Sequence, residues 1–357
     1  MRLTDLGWDE RFVAGFAEWA GKPDLEPGRV LIEFNHIFRV AIESGEIEAT
    51  TSGRMKHRAS SRSELPAVGD WVAVRRSAGE DTGAIVGLVP RQSCFSRKMA
   101  GNVTDEQVVA SNVDLVFIVM GLDADFSIRR LERYLLLGRE SGAAPVILLT
   151  KPDVSPDVPG RVAEVVAMAG DFPVHVVSPK LNQGLEQVAR YLTPGRTGAL
   201  LGSSGVGKST IINRLIGSDV QKTLEVRDYD STGRHATTHR ELVVLPSGGL
   251  IIDTPGMREL QLWDVGEAVR ETFDDIESLA GHCHFTDCRH RDEPRCAVKA
   301  AIAEGRVPAT RLESYLKLQD EIAFLNRQQD ERAQQEEKRK SKVMGKALKS
   351  HLKTKRF

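Results

Sequence analysis

The residues best placed to do chemistry form one run: Gly202, Ser203, Ser204, Gly205, Val206, Gly207, Lys208 and Ser209, with Thr210 behind it. The run fits G-x-x-x-x-G-K-[ST], the phosphate-binding P-loop. Thr197 to Leu201 in front of it reads as a buried strand, and Thr210 to Ile216 behind it as the opening turns of a helix. In that setting the glycines let backbone N–H groups turn inward around phosphates, at a helix N-terminus whose dipole favours anions. Lys208 is placed to reach the β- and γ-phosphates, and the Ser209 hydroxyl to ligand Mg²⁺. The chemistry implied is that of a nucleoside triphosphate.

Three further clusters bear on the same nucleotide. Asp253 and Gly256 make D-x-x-G at a strand end behind the P-loop. An Asp there can hold Mg²⁺ through water, and the Gly256 amide can sense the γ-phosphate. Thr150, Lys151 and Asp153 follow an apolar strand in the pattern Thr-Lys-x-Asp, close to the guanine-reading Asn-Lys-x-Asp. The Asp153 carboxylate can accept from guanine N1 and the exocyclic amine, a donor pair adenine lacks, and the wrong base would leave buried acceptors unpaired. The Lys151 stem would cover the base. Ser178 and Lys180, in Ser-Pro-Lys after another strand, resemble the Ser-Ala-Lys loop that lies over guanine. Between P-loop and D-x-x-G stands Gly233-Arg-His-Ala-Thr-Thr-His239, where a switch threonine should ligand Mg²⁺. Thr237 is the expected ligand, with Thr238 as runner-up. Met257 occupies the place where many GTPases carry a water-positioning Gln. An apolar side chain cannot orient water, so His235 becomes the candidate catalytic group.

Ordinary GTPases run P-loop, switch, D-x-x-G and then the two base motifs; here the base motifs come first. Every one of these motifs sits at a strand-to-loop junction of one sheet, so cutting and rejoining the chain elsewhere preserves the pocket. The order is that of a circularly permuted GTPase.

A second chemistry lies further on. Cys283-x4-Cys288-x-His290-x5-Cys296 offers three thiolates and an imidazole, enough for one closed, structural zinc site. His282 and His284 are alternative imidazoles. Clustering of this kind in a cytoplasmic chain argues for metal rather than disulfides.

The elements that must position these groups are read from periodicity. Trp8, Phe12, Phe16 and Trp19 suggest a helical extension over 1–28, running through Pro23 and Pro27 into a linker. About five short β-type runs between turn signals over 29–98 suggest an OB-fold RNA-binding barrel, with a basic loop from Ser52 to Arg62. Apolar strands alternate with helices over 105–265, with Ser127 as a helix cap, and this predicts a parallel sheet covered on both faces. Residues 266–308 hold the zinc cluster, and 309–357 read as a polar helix fading into a basic tail. The fold class expected is multidomain: an N-terminal OB-type β-barrel, a central circularly permuted P-loop α/β GTPase domain and a C-terminal, mostly α zinc-binding domain.

Composition is ordinary for a globular chain at 41% apolar and 28% charged. No apolar run approaches a bilayer span, and the acidic N-terminus lacks a signal-peptide core, so a cytoplasmic protein without a membrane partner is expected; the sequence is silent on oligomeric state, and a monomer is the default. Net charge is −1, yet residues 338–357 carry nine Lys/Arg and no acid, leaving the rest at −10. A basic end on an acidic body suits a polyanionic partner.

Barrel, permuted order, Gly-Arg-His-x-Thr-Thr, Asp-Thr-Pro-Gly-x-Arg and Cys-x4-Cys-x-His-x5-Cys together resemble the bacterial ribosome small-subunit-dependent GTPase family, over about residues 29–310. The resemblance implies a late factor in small-subunit maturation, whose GTP hydrolysis is stimulated by the subunit and whose barrel meets rRNA. It implies that Thr150, Lys151, Asp153 and Gly202–Thr210 bind GTP, that Cys283, Cys288, His290 and Cys296 bind zinc, and that His235 is catalytic. Ala236 stands where the family often has a first Thr, so the Mg²⁺ ligand stays open between Thr237 and Thr238; the long basic tail also departs from the pattern. The alternative is a nucleotide-gated RNA-binding factor whose hydrolysis is incidental. A metabolic P-loop kinase fits less well, because no acceptor-substrate domain is visible and Asp153 argues for guanine.

Overall fold

The computed structural model describes residues 2–77, 81–98, 106–203, 205–227, 240–253, 273–317 and 319–320. They fall into two compact units, residues 1–100 with 105–261 and residues 101–104 with 262–357.

The first unit is built on one long sheet. Its N-terminal part is β1 (Leu25–Phe34), β2 (Ile37–Ile42), β3 (Gly45–Thr51), β4 (Trp71–Arg76) and β5 (Thr82–Leu88). β4 pairs back onto β1 and β3 runs parallel to β5, so the five strands close as the expected OB-type barrel. Inward positions alternate along each strand, and Val30, Phe38, Val40, Ile42, Ile47, Val72, Val74 and Ile85 fill the interior. The basic loop forms a short helix, α2 (Gly53–Arg58), capped by the Ser52 hydroxyl.

The N-terminal segment departs from the expected helix. After a 3-10 turn at Leu3–Leu6, α1 spans six residues, Glu10–Gly15, with the Asp9 carboxylate accepting from the Arg11 amide at its start. Gly15 supplies no helix propensity to carry it further. The aromatic stripe is used against the barrel instead: the Trp8 ring lies 4.7 Å from Trp71 and Phe12 5.7 Å from it. The expected linker is strand, because β1 already begins at Leu25. Pro27 is tolerated since pairing with β2 starts only at Arg29, and the proline lies opposite Ala73 of β4 on one side.

Arg29 ties the barrel to the segments on either side of it. It is 2% exposed; its guanidinium donates to the carbonyls of Leu6, Gly69 (3.3 Å) and Asn112 (3.1 Å) and to Thr197 Oγ1 (2.9 Å), and lies over the Trp71 ring. Burial pulls its pKa down to about 10, with Asp114 and Asp70 opposing, so it stays charged at neutral pH. Arg29→Met keeps most of the volume but strips several buried acceptors of their donor. We expect a stability loss of about 3 kcal/mol or more, read as a lower melting temperature by tryptophan fluorescence.

A hairpin absent from the sequence expectation, β6 (Cys94–Lys98) with β7 (Glu106–Ser111), precedes the nucleotide-binding part. There β8 (Leu115–Gly121), β9 (Ala144–Thr150), β10 (Val174–Val176), β11 (Thr197–Leu201) and β13 (Leu250–Asp253) run parallel. β12 (Arg240–Val244) is the exception: it is antiparallel to β13 and to β1, which makes barrel and parallel sheet continuous. The whole sheet therefore has the order β10-β9-β8-β11-β13-β12-β1-β2-β3-β5-β4. The helices are α3 (Ile128–Glu140), capped by Ser127 as expected, α4 (Val158–Ala169), α5 (Leu185–Tyr191) and α6 (Lys208–Arg227), broken at Gly217. β8 is buried at every position, as its unbroken apolar run requires.

The second unit contains α7 (Asp274–Ala280), α8 (Ala297–Ala303) and a helical stretch over 309–317. Among the described residues, Phe273, Ile276, Cys296, Val298, Ala301, Val307, Leu312 and Tyr315 are buried there. Among the described residues, no helix is long and apolar enough to cross a membrane.

Candidate functional site

The carboxyl ends of β9, β10, β11 and β13 carry the residues expected to handle nucleotide, at the edge where parallel α/β sheets bind ligands. β11 delivers Gly202, where a Cβ would collide with the Val119 carbonyl oxygen, so the loop presses directly on the neighbouring strand. Gly207 has φ 104°, open to glycine alone, and turns the chain into α6. The Lys208 ammonium bends back over the loop and donates to the carbonyls of Gly202 and Ser203, both at 2.6 Å. Ser209 and Thr210 are exposed on the first turn of α6, where a cation beside the phosphates can be reached.

Thr150, at the end of β9, is 1% exposed, and its hydroxyl donates to the Val206 carbonyl at 2.6 Å. The threonine thus ties the Thr-Lys-x-Asp loop to the P-loop. Thr150→Val keeps the shape and leaves that carbonyl unpaired. We expect guanine-nucleotide affinity to fall by about fivefold to tenfold, one buried hydrogen bond's worth, measured with a fluorescent GDP analogue.

Lys151 adopts a left-handed backbone (φ 58°) and its ammonium pairs with Asp123 at 2.6 Å. The hydrogen bond from Lys151 holds the Asp123 carboxyl below its ordinary range. Asp153 makes a loose 3.6 Å pair with Lys180, whose side chain is mostly exposed, so its carboxylate can turn to a base. Ser178 is buried, and its hydroxyl accepts from the Leu181 amide at 3.4 Å, which shapes the loop carrying Lys180. Asp253 ends β13, half-buried.

Ser204, His235, Thr237, Thr238 and Gly256 lie outside the described residues, as do Ala236 and Met257. Sequence reasoning missed Asp123, Asp125 and Arg130. Arg130 of α3 donates to Asp125 at 2.5 Å and to the Ser203 hydroxyl at 2.7 Å, bracing the start of the P-loop. The Asp-x-Asp pair directly after β8 was the available signal.

The metal candidates converge in the second unit. The thiols of Cys283, Cys288 and Cys296 and an imidazole nitrogen of His290 all lie within 4.8 Å of one another. His290 Nδ1 is 3.6, 3.5 and 3.3 Å from the three sulfurs, and the Cys283 and Cys296 sulfurs are 3.9 Å apart. A tetrahedral ion with metal–sulfur bonds of about 2.3 Å and metal–nitrogen bonds of about 2.0 Å needs edges of roughly 3.5 to 3.8 Å. The four groups therefore fit one metal ion, and neither His282 nor His284 belongs to the cluster; the His282 ring nitrogen contacts the Ser278 carbonyl at 2.9 Å. Burial pushes the Cys288 thiol up to about 11 and holds the His290 imidazole below its ordinary value. At Cys283 burial pushes upward too, but hydrogen bonds from the Ala297 and Val298 amides, together with those of Cys288 and Cys296, outweigh it and lower the thiol.

Barrel, permuted sheet and a P-loop faced by a guanine-type motif define a circularly permuted GTPase with an OB-type domain and a Cys/His cluster that could hold a metal. The RsgA GTPase family profile matches residues 88–263. The small ribosomal subunit biogenesis GTPase RsgA of Opitutus terrae is 49% identical over 339 residues, covering 92% of each chain. The protein of that name from Leptospira interrogans is 40% identical over 355 residues, covering 99% of this chain and 97% of its own. Among solved structures, YjeQ from Thermotoga maritima superposes with a TM-score of 0.62 at 26% identity, covering 84% of this chain and 99% of its own. YloQ, described as a circularly permuted GTPase, gives 0.59 at 26% identity over 85% and 97% of the two chains. The chain belongs to the RsgA GTPase family.

Proposed function

We propose that this chain hydrolyses GTP to GDP and phosphate as a late assembly factor of the small ribosomal subunit, with the subunit and its rRNA stimulating turnover. The observation that carries the reading is the convergence of Thr150, Lys151, Asp153, Ser178, Lys180 and the P-loop on one sheet edge, in a chain whose relatives are named for small-subunit biogenesis. Bound Mg²⁺ would supply charge neutralisation between the phosphates. Ser209 would be its ligand from α6, Thr237 or Thr238 its ligand from the switch segment, and Asp253 its partner through water. Lys208 would neutralise phosphate charge, and His235 would orient the attacking water, since Met257 cannot. The Cys283, Cys288, His290 and Cys296 set is proposed to hold one structural zinc ion. The division 1–28, 29–98, 105–265, 266–308 and 309–357 is proposed as the functional organisation, with the barrel's first strand beginning four residues ahead of its boundary, at Leu25. A monomer in the cytoplasm, away from membranes, suits that role.

Steady-state hydrolysis of GTP and ATP, with and without purified small subunits, tests the reading. Slow GTP turnover that rises by orders of magnitude with the subunit, with ATP inert, is the expected result. Equal turnover in both conditions would remove the ribosomal role.

A further inference from the structure

β12 occupies a special place in the sheet. Its first residue, Arg240, directly succeeds His239, the end of the segment that carries His235, Thr237 and Thr238. On one side it pairs with β13, whose last residue is Asp253 (Glu241 opposite Asp253). On the other side it pairs with β1 of the barrel, with Ile32 opposite Glu241 and Glu33 opposite Arg240. The strands are antiparallel, so the start of β12 lies beside the end of β1. There β1 turns into β2 through Asn35 and His36, both left-handed (φ 49° and 64°), the backbone of a tight hairpin.

The hairpin tip carries apolar groups into solvent: Phe34 is 56% exposed and Ile37 45%. The loop joining the first two strands of an OB barrel is one of its oligonucleotide-binding loops, and an exposed aromatic there offers a stacking platform for an unpaired base. One residue back from Phe34 the character reverses. Glu33 Oε2 lies 3.2 Å from the Arg240 guanidinium, with both side chains largely shielded (19% and 12% exposed). Arg240 also donates to the Val108 carbonyl at 3.2 Å. Burial raises the Glu33 carboxyl pKa against the pull of Arg240, so its charge depends on that neighbour. Directly opposed residues on antiparallel strands are the unit by which a ladder holds its register.

We infer that Glu33 and Arg240 are positioning residues for hydrolysis: the pair fixes the register of β12 against β1, and RNA gripped at Phe34 and Ile37 acts through it on β12 and on Asp253, which lies opposite Glu241 at the end of β13. The pair bears on the stimulated reaction and leaves the basal one alone. The inference rests on subunit stimulation of hydrolysis, as proposed above.

The test compares full-length wild type, Glu33→Gln, Arg240→Met and the double variant. Each is assayed for melting temperature, basal GTP turnover, affinity for purified small subunits and turnover at saturating subunit. The expected result is a fivefold or greater loss of saturated, subunit-stimulated kcat in each single variant. Basal kcat, KM for GTP and subunit affinity should stay within twofold of wild type; melting temperature, which falls when one partner of a shielded pair is removed, is read to confirm that each variant is folded at the assay temperature. The double variant should be no worse than either single one, because the two act through one interaction. A wild type without stimulation would defeat the functional reading and the inference with it. A stimulated wild type with a fully stimulated Glu33→Gln would overturn the inference alone. Loss of subunit affinity with normal saturated kcat would overturn it as well, by making the pair a docking contact. Should Glu33→Gln melt early, Arg240→Gln decides: it keeps a side-chain donor at that place but removes the ion pair with Glu33. Full stimulation in that variant would equally overturn the pair's role.

Discussion

Asp153→Asn is expected to weaken GTP binding by about 10²-fold or more and to let xanthosine triphosphate bind in its place. The reason lies in matched donors and acceptors. The Asp153 carboxylate offers two acceptors to guanine N1–H and the exocyclic amine, whereas the Asn amide offers one acceptor and one donor. Guanine then meets a donor facing its amine, but xanthine, with a carbonyl at that place, finds a partner. The loss cannot be relaxed away cheaply, because the loop is anchored twice just ahead of Asp153. Thr150 bonds to the P-loop carbonyl of Val206 at 2.6 Å, and Lys151 pairs with Asp123 at 2.6 Å. Lys180, 3.6 Å from Asp153, is too exposed to take over the recognition. Equilibrium titrations with fluorescent guanine and xanthine nucleotides check the result. Unchanged GTP affinity, or loss of GTP without gain of xanthine nucleotide, would remove Asp153 from the base site.

Much of this architecture was legible because the relevant signals are local. Continuous apolar runs such as Leu115–Gly121 must be buried on both faces, and β8 is. The Ser127 cap and the turn glycines around the P-loop act within a few residues, so they too could be read from the chain. What was not legible is set by partners distant in sequence. Trp8 and Phe12 have helical spacing, but their fate is decided by Trp71, some sixty residues on, and the helix stops at Gly15. Pro27 signals a break in isolation, yet the strand accommodates it where only β4 is alongside. The pairing of β12 with β1 joins residues about two hundred positions apart, and no periodicity announces it. The same holds in the nucleotide site: Thr150 departs from the usual Asn, and only its bond to Val206 shows what the hydroxyl does. Asp123 has no motif of its own until Lys151 is found beside it. In the metal cluster three imidazoles competed on spacing, and the left-handed turn at His290 (φ 58°), among three thiols, separates it from His282 and His284.

Stripping the metal is expected to unfold the second unit while guanine-nucleotide binding persists in the first. The described apolar core of that unit is small, and α7 and α8 have seven residues each, too short to persist in water without packing. Tyr315 shows how the cluster is tied to that core: its ring lies 5.5 Å from Phe273 and 6.3 Å from His290, and its hydroxyl donates to Glu277 at 2.8 Å. Structural zinc contributes about 10–16 kcal/mol in small modules, as much as the whole stability of many domains. Losing one ligand leaves three soft groups that close no tetrahedron, so Cys288→Ala should act like a chelator. Every nucleotide residue named above lies in the other unit, which has its own core. The expected record is one equivalent of zinc by elemental analysis, lost in Cys288→Ala, with rapid proteolysis between 273 and 320 and GDP affinity within about twofold of wild type. A metal-free chain that keeps this segment protease-resistant would show that packing alone suffices. The four ligands would then be a site the fold tolerates rather than one it needs.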